Sequence, residues 1–204
     1  GDLYVADGHH RSAAASRVAA AREGRAGEHD AFLAVVFPLD DVHVMAYNRV
    51  VADLRGRTPD QLLVEVGAVL DVAEHGRAVT PSRQHEFGMY LDGRWFVLGA
   101  PTGSVDEADP LARLDVSILQ ERVLAPLLGI GDPRTDSRIA FVGGIRGVEE
   151  IERLVDSGRA AVGFVLFPTS TTDLVQVADT GAVMPPKSTW FEPKLASGLV
   201  VHPL

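Results

Sequence analysis

The stretch FGMYLDGRWFVL, residues 87–98, carries the clearest structural signal in this sequence. Two apolar runs flank the pair Asp92-Gly93, which favours a two-residue type I′ turn because both turn positions need a positive φ. Runs rich in aromatic and aliphatic residues on either side of such a turn are typical of paired strands. The stretch therefore predicts an antiparallel hairpin, and with it a sheet, in the middle of the chain.

The residues before this hairpin predict further strands and two helices. Apolar runs predict strands at residues 3–6, 32–37 and 42–47, with the last two joined as a hairpin by the turn at 38–41. An alanine-rich helix is expected at 10–23, with Asp7 as its N-cap and Gly24 just after its end. Thr58-Pro59 predicts the start of a second helix over 59–69.

The residues after the hairpin predict an alternation of helices and strands. Apolar spacing predicts helices at 115–128, 147–157 and 171–178, strands at 139–142, 162–167 and 198–201, and a loop at 129–137. We therefore expect an α+β fold in one compact region, residues 1–204. Its mixed sheet would have hairpins in the first half and β-α-β-α units in the second half.

Composition excludes several kinds of chemistry. The chain has no cysteine, which rules out disulfides, thiolate zinc sites, iron–sulfur clusters and a cysteine nucleophile. Its net charge of −9 and the lack of a Lys/Arg block argue against nucleic acid as a partner. Its apolar runs are far shorter than the roughly 20 residues of a membrane span, so we expect no membrane contact and a cytoplasmic location.

The first candidate site is the turn Asp7-Gly8-His9-His10-Arg11. A helix N-terminus exposes unpaired N–H groups, a glycine allows close approach to the backbone, and arginine can bind two phosphate oxygens at once. This combination suits an anion. The alternative is that Asp7 only caps the helix and that the other side chains are solvated.

The second candidate site is KSTWFEPK, residues 187–194. Its Lys187, Ser188, Thr189 and Lys194 could bind phosphate, and its two aromatic rings could stack on a base. An edge strand with alternating side chains explains the same pattern. Arg49 follows a strand and could also contact an anion, although one arginine at a strand end is more often a surface residue.

Four segments together resemble a bacterial and archaeal family known as domain of unknown function 1015. They are ADGHHR, LDVSILQERVLAPLLGI, GFVLFPTSTTDLVQVAD and MPPKSTWFEPKLASGLVV, in this order along the chain. Members of that family are about twice as long. The resemblance therefore implies that this chain is the C-terminal half of a longer protein, with a missing N-terminal half or a partner chain to complete it.

The DGHHR element is also similar to that of free serine kinases in the ParB/sulfiredoxin-like superfamily. This resemblance implies that Gly8, His9, His10 and Arg11 bind nucleotide phosphates. It also implies that Asp7 is an acid near the transferred group or its Mg²⁺, with Asp7 and His10 as catalytic candidates. The general-base glutamate of those kinases would lie upstream of DGHHR.

These observations together predict a nucleotide-dependent small-molecule phosphotransferase, with serine or another small hydroxylated metabolite as acceptor. The expected cofactors are Mg²⁺ and ATP or ADP, since phosphoryl transfer depends on charge neutralisation. The alternative is a nucleotide-binding switch or interaction module that transfers no phosphate to a metabolite. A third possibility is that the DGHHR turn is only structural.

Overall fold

The computed structural model describes residues 3–22, 27–194, 196, 198 and 200–202. It divides the chain into two units, one made of Gly1–His43 with Phe191–Leu204 and the other of Val44–Trp190. The helices are α1 (His9–Ala21), α2 (Pro59–Gly67), α3 (Asp115–Leu119), α4 (Glu149–Asp156) and α5 (Thr171–Asp179). The strands are β1 (His43–Met45), β2 (Tyr47–Val51), β3 (Asp71–His75), β4 (Glu86–Leu91), β5 (Arg94–Gly99), β6 (Ile139–Gly143), β7 (Val162–Leu166) and β8 (Trp190–Glu192).

The hairpin at Asp92-Gly93 is confirmed. Leu91 pairs with Arg94, and Asp92 and Gly93 have φ of 50° and 73°, as the type I′ turn requires. The hairpin belongs to a six-stranded sheet in the order β3-β5-β4-β7-β2-β6, and β1 and β8 form a second, two-stranded sheet. The α+β class is therefore confirmed. All five pairings of the larger sheet are antiparallel, whereas the sequence predicted a mixed sheet.

Alternate side chains of the larger sheet enter two apolar layers. Phe87, Phe96 and Phe164 are fully buried on the face that also packs α2, α3 and α5. Tyr90 and Trp95 lie on the opposite face with Ile151 of α4. A Cβ atom at Gly163 of β7 would lie 2.2 Å from Cγ2 of Ile151, so α4 packs directly on the backbone there.

Two predicted strands are wrong. Residues 3–6 and 32–37 are irregular, and Leu3 and Phe32 are 77% and 52% exposed. The hairpin between 32–37 and 42–47 therefore does not form, and only β1 and the start of β2 fall in its second half. A strand needs a hydrogen-bonded partner, which an apolar run alone cannot specify. Of the last predicted strand, Leu199 lies outside the described residues, and Gly198, Val200 and Val201 are not in a strand.

The predicted helices form with altered ends. Thr58 caps α2 by accepting the N–H of Gln61, as the sequence indicated. The helix predicted over 115–128 is α only to Leu119 and continues as a π-helical turn over Gln120–Leu124, where the chain approaches Pro126. Proline lacks the N–H that a regular helix would need at that point. Within the described part of the chain, no helix has the length and apolar character needed to cross a bilayer.

Candidate functional site

The turn before α1 places a glycine at the start of the helix. Gly8 is the N-cap residue, in the left-handed region with φ 87°, and Asp7 accepts the Gly8 N–H on Oδ1 at 2.8 Å. The prediction that Asp7 itself caps α1 is therefore wrong, because Asp7 lies one residue too early. No side chain caps this end of α1, so the N–H groups of its first turn keep their capacity for another acceptor. The predicted end at Gly24 lies outside the described residues.

The guanidinium group of Arg11 folds back over Gly8. A Cβ atom at Gly8 would lie 3.0 Å from both Nε and Nη2 of Arg11, which is tighter than nine in ten real Cβ contacts. The exposed Arg11 side chain could move away from such an atom, so the positive φ is the reason that glycine is favoured here. The side chains of His9, His10 and Arg11 are exposed on the same first turn.

Lys194 brings the end of the second candidate segment to the first. Its Nζ lies 3.3 Å from Oδ2 of Asp7, in the unit that contains both residues. Partial burial would raise the pKa of Asp7, but the Gly8 N–H and the charges of Lys194 and Arg11 outweigh it and lower the pKa below its ordinary value. Asp7 is therefore an ionised carboxylate between two cations at neutral pH.

This arrangement, the α1 site, contains the cations Arg11 and Lys194 and the carboxylates of Asp7 and Glu192, the latter accepting the backbone N–H of Lys194 at 3.1 Å. The uncapped N-terminus of α1 adds a partial positive charge, which favours an anion beside Gly8. An Asp7 that is already ionised has no proton to donate at neutral pH, which favours electrostatic or metal-binding roles over general acid catalysis. Among the described residues, no three His, Asp or Glu side chains group as a metal site.

A second cationic arrangement lies in the other unit, around Arg49 of β2. Arg49 is 3% exposed, and it donates to the backbone carbonyls of Tyr47 at 2.8 Å and Lys187 at 3.4 Å. Its guanidinium lies 5.6 Å from the centre of the Phe141 ring. Burial lowers the pKa of Arg49 to about 10. No carboxylate in the described part of the chain forms an ion pair with this buried cation.

Lys187 completes this second arrangement, the Arg49 site. Its Nζ lies 5.2 Å from the centre of the Tyr47 ring, and its φ of 55° belongs to the left-handed region. Ser188 is buried, and its hydroxyl donates to the carbonyl of Pro185. Thr189 is half-buried. The structure thus joins Arg49 to Lys187 through the backbone carbonyl of Lys187 and places the Lys187 ammonium over the Tyr47 ring, while the Ser188 hydroxyl already donates to Pro185.

A polar cluster that the sequence did not indicate lies between β4, α3 and α5. Asp115 and Asp173, both buried, share it with Gln84, His85 and Arg113. Asp115 and Asp173 each stand in the first turn of a helix, where acidic residues are common for dipole reasons alone. Their only distinguishing signal was an acidic residue directly beside apolar residues of the core.

A wide surface depression of about 610 Å³ opens beside α2. It is lined by none of the predicted site residues. Arg57 and Glu65 in its wall form an ion pair at 2.8 Å, which satisfies both charges.

Comparison with known proteins places the chain in a family. The model of a family described as "Protein of unknown function (DUF1015)" matches residues 1–117, which include the DGHHR element. The chain belongs to the DUF1015 family. The match ends within α3, so most of LDVSILQERVLAPLLGI and all of the GFVLFPTSTTDLVQVAD and MPPKSTWFEPKLASGLVV segments lie outside it. No functionally curated protein matches the sequence.

Solved structures extend the comparison of this DUF1015 member to its fold. A mutant free serine kinase in complex with AMP is similar at 15% identity and a TM-score of 0.51, over 92% of this chain and 66% of that chain. A conserved hypothetical protein from Pyrococcus furiosus is similar at 17% identity and a TM-score of 0.47, over 92% and 68%. The chain thus spans 66% of the length of the free serine kinase, with which it shares a fold.

Proposed function

We propose that this DUF1015 protein is a nucleotide-dependent phosphotransferase that phosphorylates a small hydroxylated metabolite such as serine. The observation that carries the proposal is the contact between Asp7 of the DGHHR segment and Lys194, the last residue of KSTWFEPK, within one unit. Residues 187 positions apart thus contribute a carboxylate and a cation to one place beside the uncapped start of α1. The fold shared with a free serine kinase also supports a phosphotransferase. Membership of the ParB/sulfiredoxin-like superfamily is part of this proposal.

The α1 site is proposed to hold the nucleotide phosphates. The N–H groups of the first helical turn point outward from Gly8, and Arg11 adds a planar donor group beside them. Phosphoryl transfer needs positioning and charge neutralisation more than covalent chemistry, so a helix N-terminus with two cations is suited to it. His9 and His10 stand on the same turn, and their phosphate contacts and the catalytic role of His10 remain predictions.

Asp7 is proposed to act beside the transferred phosphate. Mg²⁺ in nucleotide sites is often held by one or two protein carboxylates together with phosphate oxygens and water, so a single aspartate fits that pattern. Asp7 contacts Lys194 through Oδ2 and the Gly8 N–H through Oδ1, and a bound cation would compete with Lys194 for it. Mg²⁺ would supply charge neutralisation. The residues would hold the phosphate in line with the acceptor hydroxyl.

The Arg49 site is proposed as a further anion contact. Among the described residues, the buried Arg49 guanidinium donates hydrogen bonds to carbonyl oxygens and has no carboxylate partner, so its charge remains for an anion. Lys187 adds a second charge on the neighbouring Tyr47 ring. Ser188 and Thr189 would contribute mainly through the backbone shape of this loop, because the Ser188 hydroxyl donates elsewhere.

Product analysis by ³¹P NMR tests the proposal. Because the resemblance to free serine kinases places the general base upstream of DGHHR, the full-length protein is incubated with Mg²⁺, ATP or ADP, and serine or a pool of hydroxylated metabolites. The expected result is a new phosphomonoester resonance that depends on the acceptor. Release of inorganic phosphate alone, or nucleotide binding with no turnover, would instead establish the nucleotide-switch alternative. No binding of either nucleotide would leave the DGHHR turn as a structural element.

A further inference from the structure

Within the polar cluster, the Asp173 side chain is saturated with hydrogen bonds, whereas Nε of Arg113 is buried without a partner among the described residues. Asp173 accepts from Arg113 on Oδ1 at 2.5 Å and from Gln84 and the Ser170 hydroxyl on Oδ2, each at 2.6 Å. Arg113 also donates to Gln176. Asp173 and Arg113 therefore neutralise each other, and Asp173 needs no further donor.

Asp115 differs from Asp173 in this respect. Its Oδ1 accepts the backbone N–H of His85 at 2.8 Å, but its Oδ2 is buried without a hydrogen-bond partner among the described residues. The residue is 9% exposed. A buried, ionised carboxylate oxygen without a donor is strongly unfavourable, so Asp115 in its ionised form calls for a partner that the described residues do not supply.

A small cavity adjoins this oxygen. Asp115 and Asp173 line it with Gln84, Thr169 and the apolar Leu114 and Phe167. The Thr169 hydroxyl donates its hydrogen to the carbonyl of Ser188 at 3.1 Å, which leaves its oxygen as an acceptor. The cavity measures about 10 Å³, room for one group the size of a water molecule.

We propose that this cavity binds the primary ammonium group of a small amine, with Asp115 Oδ2 and Thr169 Oγ1 as acceptors. When Asp115 is ionised, the cavity lining offers acceptors and one negative charge without a cationic partner among the described residues, since Arg113 is paired with Asp173. A –NH₃⁺ group matches the cavity in size, whereas a trimethylated ammonium group exceeds it. Only the head group enters, and the remainder of the amine lies outside the cavity.

The cavity also gives the proposed function a substrate class. Thr169 links it to Ser188 in the loop that carries Lys187. An amino acid or amino alcohol bound through its ammonium group would present its hydroxyl outside the cavity, near this loop. This second step rests on the proposed phosphotransferase function. The ammonium site itself does not depend on it.

Calorimetric titration without nucleotide tests the site. The full-length protein is titrated with serine and with 3-hydroxypropionate, which lacks only the amino group. We expect serine to bind at least tenfold more tightly, and Asp115→Asn to abolish this difference. Asp106→Asn, an exposed aspartate that also accepts a backbone N–H, is the control and should keep the difference. Equal binding of the two acids, or an unchanged preference in Asp115→Asn, would overturn the proposal.

Two further measurements do not depend on the folding of Asp115→Asn. Methylammonium should raise the Tm of the wild-type protein, whereas tetramethylammonium at the same ionic strength should not. Stabilisation by K⁺ but not by methylammonium would identify a metal-ion site and contradict the ammonium assignment. Thr169→Val, which preserves the side-chain shape, should weaken serine binding several-fold. Amine binding without phosphate transfer would support the cavity while refuting the phosphotransferase.

Discussion

The Nζ of Lys194 lies 3.3 Å from the Oδ2 of Asp7, although 187 residues separate them along the chain. Both side chains are largely exposed, so the ion pair alone adds little to stability. The ion pair instead positions the Lys194 cation beside the uncapped start of α1. The lowered pKa of Asp7 means that this arrangement persists as pH falls until Asp7 is protonated, below the range of an ordinary aspartate.

Asp7→Asn separates a catalytic role from a structural one. Asparagine preserves the shape of the side chain and can still accept the Gly8 N–H, but it removes the negative charge. We expect phosphate transfer to fall at least tenfold. The affinity for nucleotide in the absence of Mg²⁺, by contrast, should be unchanged or higher, because an anionic neighbour of the phosphates is gone. Asp40→Asn, an exposed aspartate of the same unit, is the control for charge. Unchanged turnover in Asp7→Asn would remove the catalytic role from this residue.

Arg49→Met tests whether the buried guanidinium serves a ligand. Methionine is apolar and similar in length, so it removes the cost of burying an unpaired charge. This gain offsets the loss of the two hydrogen bonds to carbonyl groups. The free energy of unfolding should therefore change by less than about 1.5 kcal/mol. We expect pyrophosphate to raise the Tm of the wild-type protein, and we expect a smaller increase in Arg49→Met, because the α1 site is still present. Arg94→Met is a matched control, because Arg94 also lies over a phenylalanine ring but has carboxylate partners. An intact response in Arg49→Met would show that Arg49 is structural.

Asp115 predicts a distinctive pH dependence of stability. Burial raises its pKa to about 7, against the lowering effect of His85, while Asp173 raises it further. The folded state then binds a proton that the unfolded state releases near pH 4. The free energy of unfolding should accordingly fall as pH rises from about 4 to about 7, by at most roughly 4 kcal/mol. Arg113 faces the same cluster but is paired with Asp173.

Urea unfolding at several pH values measures this effect. The difference in the free energy of unfolding between the wild-type protein and Asp115→Asn isolates the contribution of Asp115 from those of all other titratable groups. A difference that stays constant between pH 4 and 7 would show that Asp115 is ionised throughout and has a cationic partner in solution.

Gly163→Ala probes the contact between β7 and α4. The new methyl group would lie 2.2 Å from Cγ2 of Ile151, so the helix must move or Ile151 must change its rotamer. Overpacking of this kind lowers the free energy of unfolding by about 1–3 kcal/mol. Gly131→Ala, where a Cβ atom would meet nothing within 4 Å, is the control. Equal stability of the two variants would mean that α4 packs more loosely than described.

The sequence predicted correctly those features that depend only on neighbouring residues along the chain. The Asp92-Gly93 turn and the Thr58-Pro59 cap depend on a few adjacent residues, and both were predicted correctly. The strands predicted at 3–6 and 32–37 failed because pairing depends on distant segments. The order of the sheet, in which β7 lies between β4 and β2, is likewise a long-range property.

The candidate sites show the same division. The α1 turn was identified because a glycine between a short apolar run and an alanine-rich segment is a local pattern, although its cap was assigned one residue early. The sequence could not show that Lys194 meets Asp7 or that Arg49 meets Lys187. Asp115 could not be predicted from the sequence, because its burial and its unpartnered Oδ2 result from tertiary packing around His85 and the cavity.

The affinity of Arg11→Ala for nucleotide tests the central claim most directly. Titration calorimetry with ATP and ADP compares it with Arg17→Ala, which removes the same charge from an exposed position further along α1. Each charge-assisted contact to phosphate contributes roughly 1.5–3 kcal/mol, so Arg11→Ala should bind ten- to a hundredfold more weakly and Arg17→Ala within about twofold of wild type. If the two variants bind nucleotide equally well, the start of α1 is not the phosphate site.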